Sequence, residues 1–156
     1  MKRRGISPVV ATVLLVAMVI VIALIIFLWF RGMRGETCTK FGGTNVEVVC
    51  GQVEFSADYS GGQLQITNLG NVPIFGMKVK VQNGGNYVSK DLSDSSFATG
   101  WPGFGLDQGA AFASALNFAG SPDSITLTPI LMGTCDSGEK AHICDENQHG
   151  KEIAIF

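Results

Sequence analysis

Charge is what this sequence has least of: only 15% of its residues are Asp, Glu, Lys or Arg, against about a quarter in an ordinary soluble domain. The 13 acidic and 11 basic residues nearly cancel and leave a formal net charge of −2. Hydrophobic residues make up 46% of the chain, which excludes a disordered polyelectrolyte. The scarcity of Lys and Arg argues against a nucleic-acid-binding protein. At 156 residues the chain has room for one domain and an appendage.

Charged residues are absent from one long segment of the chain. No charged residue occurs between Arg4 and Arg31, and neither Pro nor Gly interrupts the run from Val9 to Phe30. Thr12 is the single polar side chain in these 22 residues. As a helix the run would be about 33 Å long, enough to cross the hydrocarbon core of a bilayer. Because all 13 acids and 8 of the bases follow it, the sequence predicts a membrane-linked helix and a small polar head.

Two general interpretations of the apolar run compete, a secretory signal peptide and a single-pass membrane anchor. A secretory signal peptide has an apolar stretch of only 7–15 residues followed by small residues at a cleavage site, whereas this run is longer and ends Leu-Trp-Phe-Arg. A plain single-pass anchor needs nothing beyond the run itself. In either case the basic residues 2–4 hold the N-terminus in the cytoplasm, which places the head outside, and Trp29 and Phe30 suit the membrane interface.

A third interpretation depends on the residues before the run, which read Lys-Arg-Arg-Gly-Ile-Ser-Pro-Val-Val over positions 2–10. This stretch, with the apolar run behind it, resembles the N-terminus of archaeal type IV pilins. The resemblance implies cleavage of a basic leader by a prepilin peptidase between Gly5 and Ile6. Bacterial pilins carry Glu at the fifth mature position, where this chain has Val10, so the archaeal branch is favoured. The implied cleavage site comprises Arg3, Arg4, Gly5, Ile6, Ser7 and Pro8.

The resemblance also implies a function. Archaeal pilins are structural subunits of surface filaments, so we expect a helical homo-oligomer that serves adhesion or surface attachment. Its partners would be the prepilin peptidase, a pilus assembly platform and, before assembly, the cytoplasmic membrane; we expect no nucleic acid, no cofactor and no enzymatic activity. An archaellin fits the Ser-Pro-Val start less well. The alternative is a minor pilin-like protein or a membrane-anchored extracellular binding module that never polymerises. The filament-core helix would use Val9, Val10, Val13, Leu14, Val16, Ala17, Ile20, Ala23, Leu24, Phe27, Trp29 and Phe30.

The predicted organisation has four parts: a leader over 1–5, the apolar helix over 6–30, a flexible connector over 31–36 and a head over 37–156. Gly32 and Gly35 loosen the connector and predict a hinge. Pro8 suits the first helical turn and Ser7 the position that caps it.

In the head, apolar and polar residues alternate in short stretches that predict strands. Met77–Val81 is the clearest stretch, and the Asn83-Gly84 turn signal follows it. We expect Pro129 to end a strand or to place it at a sheet edge. The pattern predicts an α+β protein whose head is an antiparallel, immunoglobulin-like β-sandwich. The other predicted strands are 45–49, 64–68, 87–88, 111–118, 124–128 and 151–156, and 68–74 resembles a turn of archaeal pilin heads.

All four cysteines follow the apolar run, and their even number predicts disulfides in an oxidising exterior. Local pairing, Cys38 with Cys50 and Cys135 with Cys144, is the preferred connectivity, and the other two remain open. A metal site formed with His142 and His149 is the alternative, although no Cys-x-x-Cys spacing supports it.

The sequence offers little sign of other chemistry. The glycines of 103–109 lack the spacing of a dinucleotide-binding motif and predict a loop. No Asn-x-Ser/Thr sequon is present. The acidic stretch 136–146 predicts a solvated loop, with calcium binding as the alternative. The calcium ligands would be Asp136, Glu139, Asp145 and Glu146.

Overall fold

A computed structural model describes residues 8–33 and 38–155. The chain forms two units, Met1–Thr37 and Cys38–Phe156. The described part of the first unit is the helix α1, Pro8–Met33. Proline is favoured at the first helical position because its missing N–H has no intrahelical partner there. The helix runs through Gly32, so residues 31–33 of the predicted connector are helical, while Gly35 lies outside the described residues.

The described residues of the second unit form the head, which contains ten strands and two short helices. The strands are β1 (Thr39–Lys40), β2 (Thr44–Asn45), β3 (Phe55–Ser60), β4 (Gln63–Asn68), β5 (Gly76–Asn83), β6 (Asn86–Asp91), β7 (Ala111–Ala115), β8 (Ser124–Cys135), β9 (Gly138–Ile143) and β10 (Lys151–Ala154). The helices are α2 (Val46–Cys50) and α3 (Glu146–His149).

The strands form two sheets in which every pair is antiparallel. The larger sheet is built on β8, which pairs with four strands: β5, β10, β9 and β1. β2 then pairs with β1, and β6 pairs with β5. The smaller sheet has the order β3-β4-β7. The protein is therefore an α+β chain, with an apolar helix followed by antiparallel sheets.

One hydrophobic core joins the two sheets. The alternating residues Leu64 and Ile66 of β4 are fully buried, as are Val79 of β5 and Leu127 of β8. Lys78 and Lys80, which alternate with the buried residues of β5, remain partly exposed. The two-residue period is the reason, because successive side chains of a strand point to opposite faces. The prediction made from the alternation in Met77–Val81 is confirmed.

The prediction of a strand over 45–49 is wrong. Asn45 accepts a hydrogen bond from the Glu47 backbone N–H at 2.9 Å and so caps α2. Val46, Val49 and Cys50 are the buried residues of α2, at the i, i+3, i+4 spacing of a helical face. Five residues are too few for this period to be told from alternation in the sequence.

The prediction that Pro129 ends a strand or lies at a sheet edge is wrong. It lies within β8, opposite Met77 of β5. Its carbonyl accepts the Cys144 N–H, on the side where β10 pairs with 124–127 and β9 with 130–135. The N–H that proline lacks therefore falls at the junction between these two partner strands, where no ladder hydrogen bond is lost.

Four strands were not predicted, and two of them, β1 and β2, have only two residues each. β3 was not recognised in the sequence, and β9 lies within the stretch 136–146 that was predicted to be a loop. The remaining predicted strands are present with altered bounds, in β4, β6, β7, β8 and β10. Phe156 lies outside the described residues.

Candidate functional site

The surface of α1 is the feature with the plainest functional meaning. Within Pro8–Arg31 an 18-residue stretch has a mean hydropathy of 3.4, and none of that stretch is buried by the rest of the described chain. Its large apolar side chains are between 47% and 68% exposed. By length and composition the helix could cross a membrane, a test that a signal sequence near an N-terminus also passes. All twelve residues predicted for the filament core lie on this helix.

The hydroxyl group in the apolar run of α1 is satisfied within the helix. The Thr12 hydroxyl donates to the Val9 carbonyl at 2.9 Å. The Trp29 and Phe30 rings pack edge to face near the end of the helix, with centroids 6.1 Å apart. A surface that is apolar on every side is compatible with lipid or with other apolar helices, but not with water.

The predicted cleavage site lies mostly beyond the described residues. Arg3, Arg4, Gly5, Ile6 and Ser7 fall outside them, and Pro8 is the first residue of α1. The proposed cut between Gly5 and Ile6 therefore also lies outside the described residues.

Two disulfides connect the beginning of the head to its end. Cys38 bonds Cys135 and Cys50 bonds Cys144, with sequence separations of 97 and 94 residues. The preferred local pairing is therefore wrong. β1 pairs with the end of β8 through Thr39 and Thr134, which brings Cys38 beside Cys135. α2 packs into a second small core, which brings Cys50 to Cys144.

The metal alternative is excluded for these cysteines, because none of the four is free to act as a thiolate ligand. The four calcium candidates, Asp136 among them, do not form a metal-binding group either. Glu139 lies in β9 opposite Thr134, Asp145 caps α3, and Glu146 pairs with Lys80. Within residues 8–33 and 38–155, no group of three or more His, Cys, Asp or Glu side chains is placed to hold a metal ion.

The turn after β4 is held by Asn68, which is fully buried. Its Nδ2 donates to the Val72 carbonyl at 2.9 Å and to the Leu106 carbonyl at 3.0 Å. Its Oδ1 accepts the Gly70 N–H at 3.1 Å. The amide thus joins two loops that are far apart in sequence.

The predicted loop over 103–109 carries a feature that sequence reasoning missed. Phe104 is 97% exposed, more than any other large apolar residue of the described chain. We call residues 102–106, Pro-Gly-Phe-Gly-Leu, the Phe104 turn. The two flanking glycines are a turn signal in the sequence, but the exposure of the ring depends on how the surrounding fold packs.

A second missed feature is a pocket of about 460 Å³ under the end of the β5–β6 hairpin, here called the hairpin pocket. Val81 and Val88, which face each other across the hairpin, lie on one side of it. Phe97 and Phe118 lie on the other, with ring centroids 5.9 Å apart. Polar side chains at the rim include Asn83, Asn86, Ser96, Asn117 and Lys90.

Three charged groups of the head have shifted pKa values. A hydrogen bond to the Glu146 carboxylate, at 2.7 Å, raises the pKa of Lys80, whose amine also lies 4.8 Å from the centroid of the Tyr87 ring. Hydrogen bonds from Ser96 lower the pKa of Asp94. Burial lowers the pKa of Lys40. These shifts belong to surface interactions on separate parts of the head and do not form a catalytic group.

Comparison of the chain with protein-family models, with curated proteins and with solved structures found no match. The apolar helix and the two disulfides indicate a membrane-anchored or exported protein.

Proposed function

We propose that this chain is the structural subunit of an archaeal type IV pilus-like surface filament used for adhesion or surface attachment. The observation that carries the proposal is the fully apolar, unburied surface of α1, which follows the pilin-like stretch Gly-Ile-Ser-Pro-Val of residues 5–9. A helix of this kind can leave lipid for a bundle of identical helices without exposing apolar surface to water. Packing and shape then determine the association.

In this proposal a prepilin peptidase removes residues 1–5, and the mature subunit waits in the cytoplasmic membrane. An assembly platform then moves α1 into the filament core, where it packs against copies of itself through a heterologous, non-closing interface. The head, an immunoglobulin-like sandwich, covers the outside. Two antiparallel sheets that share one core support that assignment of the head. The role is structural rather than catalytic.

A second candidate is a membrane-anchored binding module that does not polymerise. A pocket of about 660 Å³ between the start of β5 and the loop 91–103 favours it, because Trp101 offers an aromatic wall and Ser93, Ser95 and Asp91 offer polar groups. The two candidates differ in one observable property, which is the presence of the chain in filaments.

Val16→Asp is expected to abolish filaments. Val16 lies about two turns from the start of α1 and is 55% exposed, so the substitution would place a carboxylate in the helix-packed core. One Asp at the centre of a membrane helix costs about 3 kcal/mol on insertion, which the remaining apolar residues outweigh. The subunit should therefore still reach the membrane with its head folded.

The measurement is electron microscopy of sheared surface material, together with the amount of subunit in the membrane fraction. Val16→Leu is the matched control, since it keeps the site apolar and should still give filaments. Normal filaments from Val16→Asp would remove the helix-core proposal.

A further inference from the structure

The Phe104 turn presents a single exposed aromatic side chain on an anchored backbone. The Gly105 N–H donates to the Pro102 carbonyl at 2.9 Å and closes the turn. Gly105 has φ of +86°, and a side chain there would meet the Ile74 carbonyl oxygen at 2.3 Å, so only glycine allows this close approach. Leu106 exchanges two backbone hydrogen bonds with Ile74, at 3.0 and 2.7 Å. Little backbone freedom is left for the turn to lose on binding.

The hairpin pocket is an open end of the hydrophobic core. Val79, Val81 and Asn83 lie on the inner face of β5, and Val79 is fully buried while Val88, opposite Val81, is 57% exposed. Phe97 belongs to the buried core, and Phe118 packs against it. The floor of the pocket is therefore apolar, and the space above it is large enough for an aromatic ring.

The turn and the pocket lie at opposite ends of β5. Gly105 rests on Ile74 and Phe75, immediately before β5 begins at Gly76, whereas the pocket lies beside Val81 and Asn83. Seven residue steps along a strand separate the two ends by about 23 Å. Phe104 therefore cannot fill the pocket of its own head, and a second copy could accept it only in a head-to-tail arrangement.

We propose that Phe104 of one subunit inserts into the hairpin pocket of the next subunit and links successive heads. Because the two contact surfaces differ, the contact is heterologous and can repeat without closing. The inference rests on the proposed function in that it assigns this contact to neighbouring subunits of the filament.

The charges around the Phe104 turn favour a second copy of the chain over a lipid surface as the partner of Phe104. No Lys or Arg occurs between Lys90 and Lys140, so the segment that carries the turn is acidic and includes Asp107. Lys40, which approaches the Pro73 carbonyl at 3.5 Å, is a single base and not the cluster that attracts a protein to an anionic membrane. At the pocket, by contrast, Lys90 lies at the rim and can face an acidic neighbour.

Cysteine cross-linking in the full-length chain tests the contact. No free cysteine occurs among the described residues, so introduced thiols react alone. Gly103→Cys places one thiol beside Phe104, at a position with no atom within 4 Å of an added Cβ and without a positive φ. Asn86→Cys places the other at the pocket rim. Sheared surface material and membranes are treated with a short bis-maleimide and separated on denaturing gels.

The expected result is a ladder of covalent oligomers from Gly103→Cys with Asn86→Cys. The matched control pairs Gly103→Cys with Tyr87→Cys, whose side chain lies on the other face of β6 over Lys80 and should give little product. Adding Phe104→Ala to the reactive pair should reduce the ladder about tenfold, as loss of a central aromatic contact does.

Three results would overturn the inference: no ladder from the reactive pair, equal ladders from both pairs, or a ladder that Phe104→Ala does not change. Filaments without a ladder would reject the head contact alone and leave the proposed filament intact. A ladder in membranes from a chain that forms no filaments would keep the contact and reject the filament. If neither filaments nor a ladder form, the filament and the head contact are both rejected.

Discussion

Asn68 shows what can and cannot be predicted at the scale of one residue. The stretch 68–74, which follows a predicted strand, is predicted to be a turn by its resemblance to a turn of archaeal pilin heads. It gives no sign that the Asn68 amide also bonds the Leu106 carbonyl, 38 residues away, since that contact depends on the packed fold. Phe104 was missed for the same reason, because exposure is a property of the whole surface.

Asn68→Ala is expected to destabilise the head by about 3 kcal/mol. It leaves the buried Val72 and Leu106 carbonyls and the Gly70 N–H without their partner, and each such group costs about 1–3 kcal/mol. Chemical denaturation of the full chain in detergent measures the change. Asn71→Ala, at an exposed position of the same turn, is the control and should have little effect. Equal stability of the two variants would show that the amide network does not hold the turn.

At the scale of elements, the clarity of the hydrophobic period and the length of the element decided which predictions succeeded. Strands with clear alternation, such as β5, could be predicted. The five residues of α2 could not be distinguished from a strand, and Pro129 was misjudged because its neighbours in the sheet are set by topology. The disulfide pairing also depends on topology, since β1 lies beside the end of β8, nearly a hundred residues later.

The two disulfides are expected to be the main connection between the beginning and the end of the head. In the chain-entropy description a closed loop of about 100 residues stabilises the folded state by about 4.7 kcal/mol. Once one bond is present, the second closes a ring of only about 20 residues, which contributes about 3 kcal/mol. Cys38→Ser with Cys135→Ser, and separately Cys50→Ser with Cys144→Ser, should therefore each lower the free energy of unfolding by roughly 3 kcal/mol.

Peptide mapping of the unreduced protein tests the connectivity itself. We expect cross-linked peptides that contain Cys38 with Cys135 and Cys50 with Cys144. Peptides that join Cys38 to Cys50 would support the local pairing and contradict the structure.

At the scale of the whole molecule, the sequence predicts an apolar helix followed by an antiparallel β head, and the structure has both. The division is visible in the sequence because charge is absent from one segment and present in the other. The hairpin pocket could not be predicted, because residues distant in sequence form it. The exposure of Phe104 could not be predicted either, because it depends on how the whole head packs. The filament proposal gives each part of the molecule a role: α1 supplies a continuous core, and the head supplies the outer contacts.

Intact mass and N-terminal sequence of the protein from sheared surface filaments test the central claim most directly. The account predicts a chain that begins at Ile6, with a mass lowered by the hydrogens lost in two disulfides. This result would establish processing, export and assembly in one experiment. A chain that still begins at Met1, found in the membrane fraction and absent from the sheared material, would contradict the account.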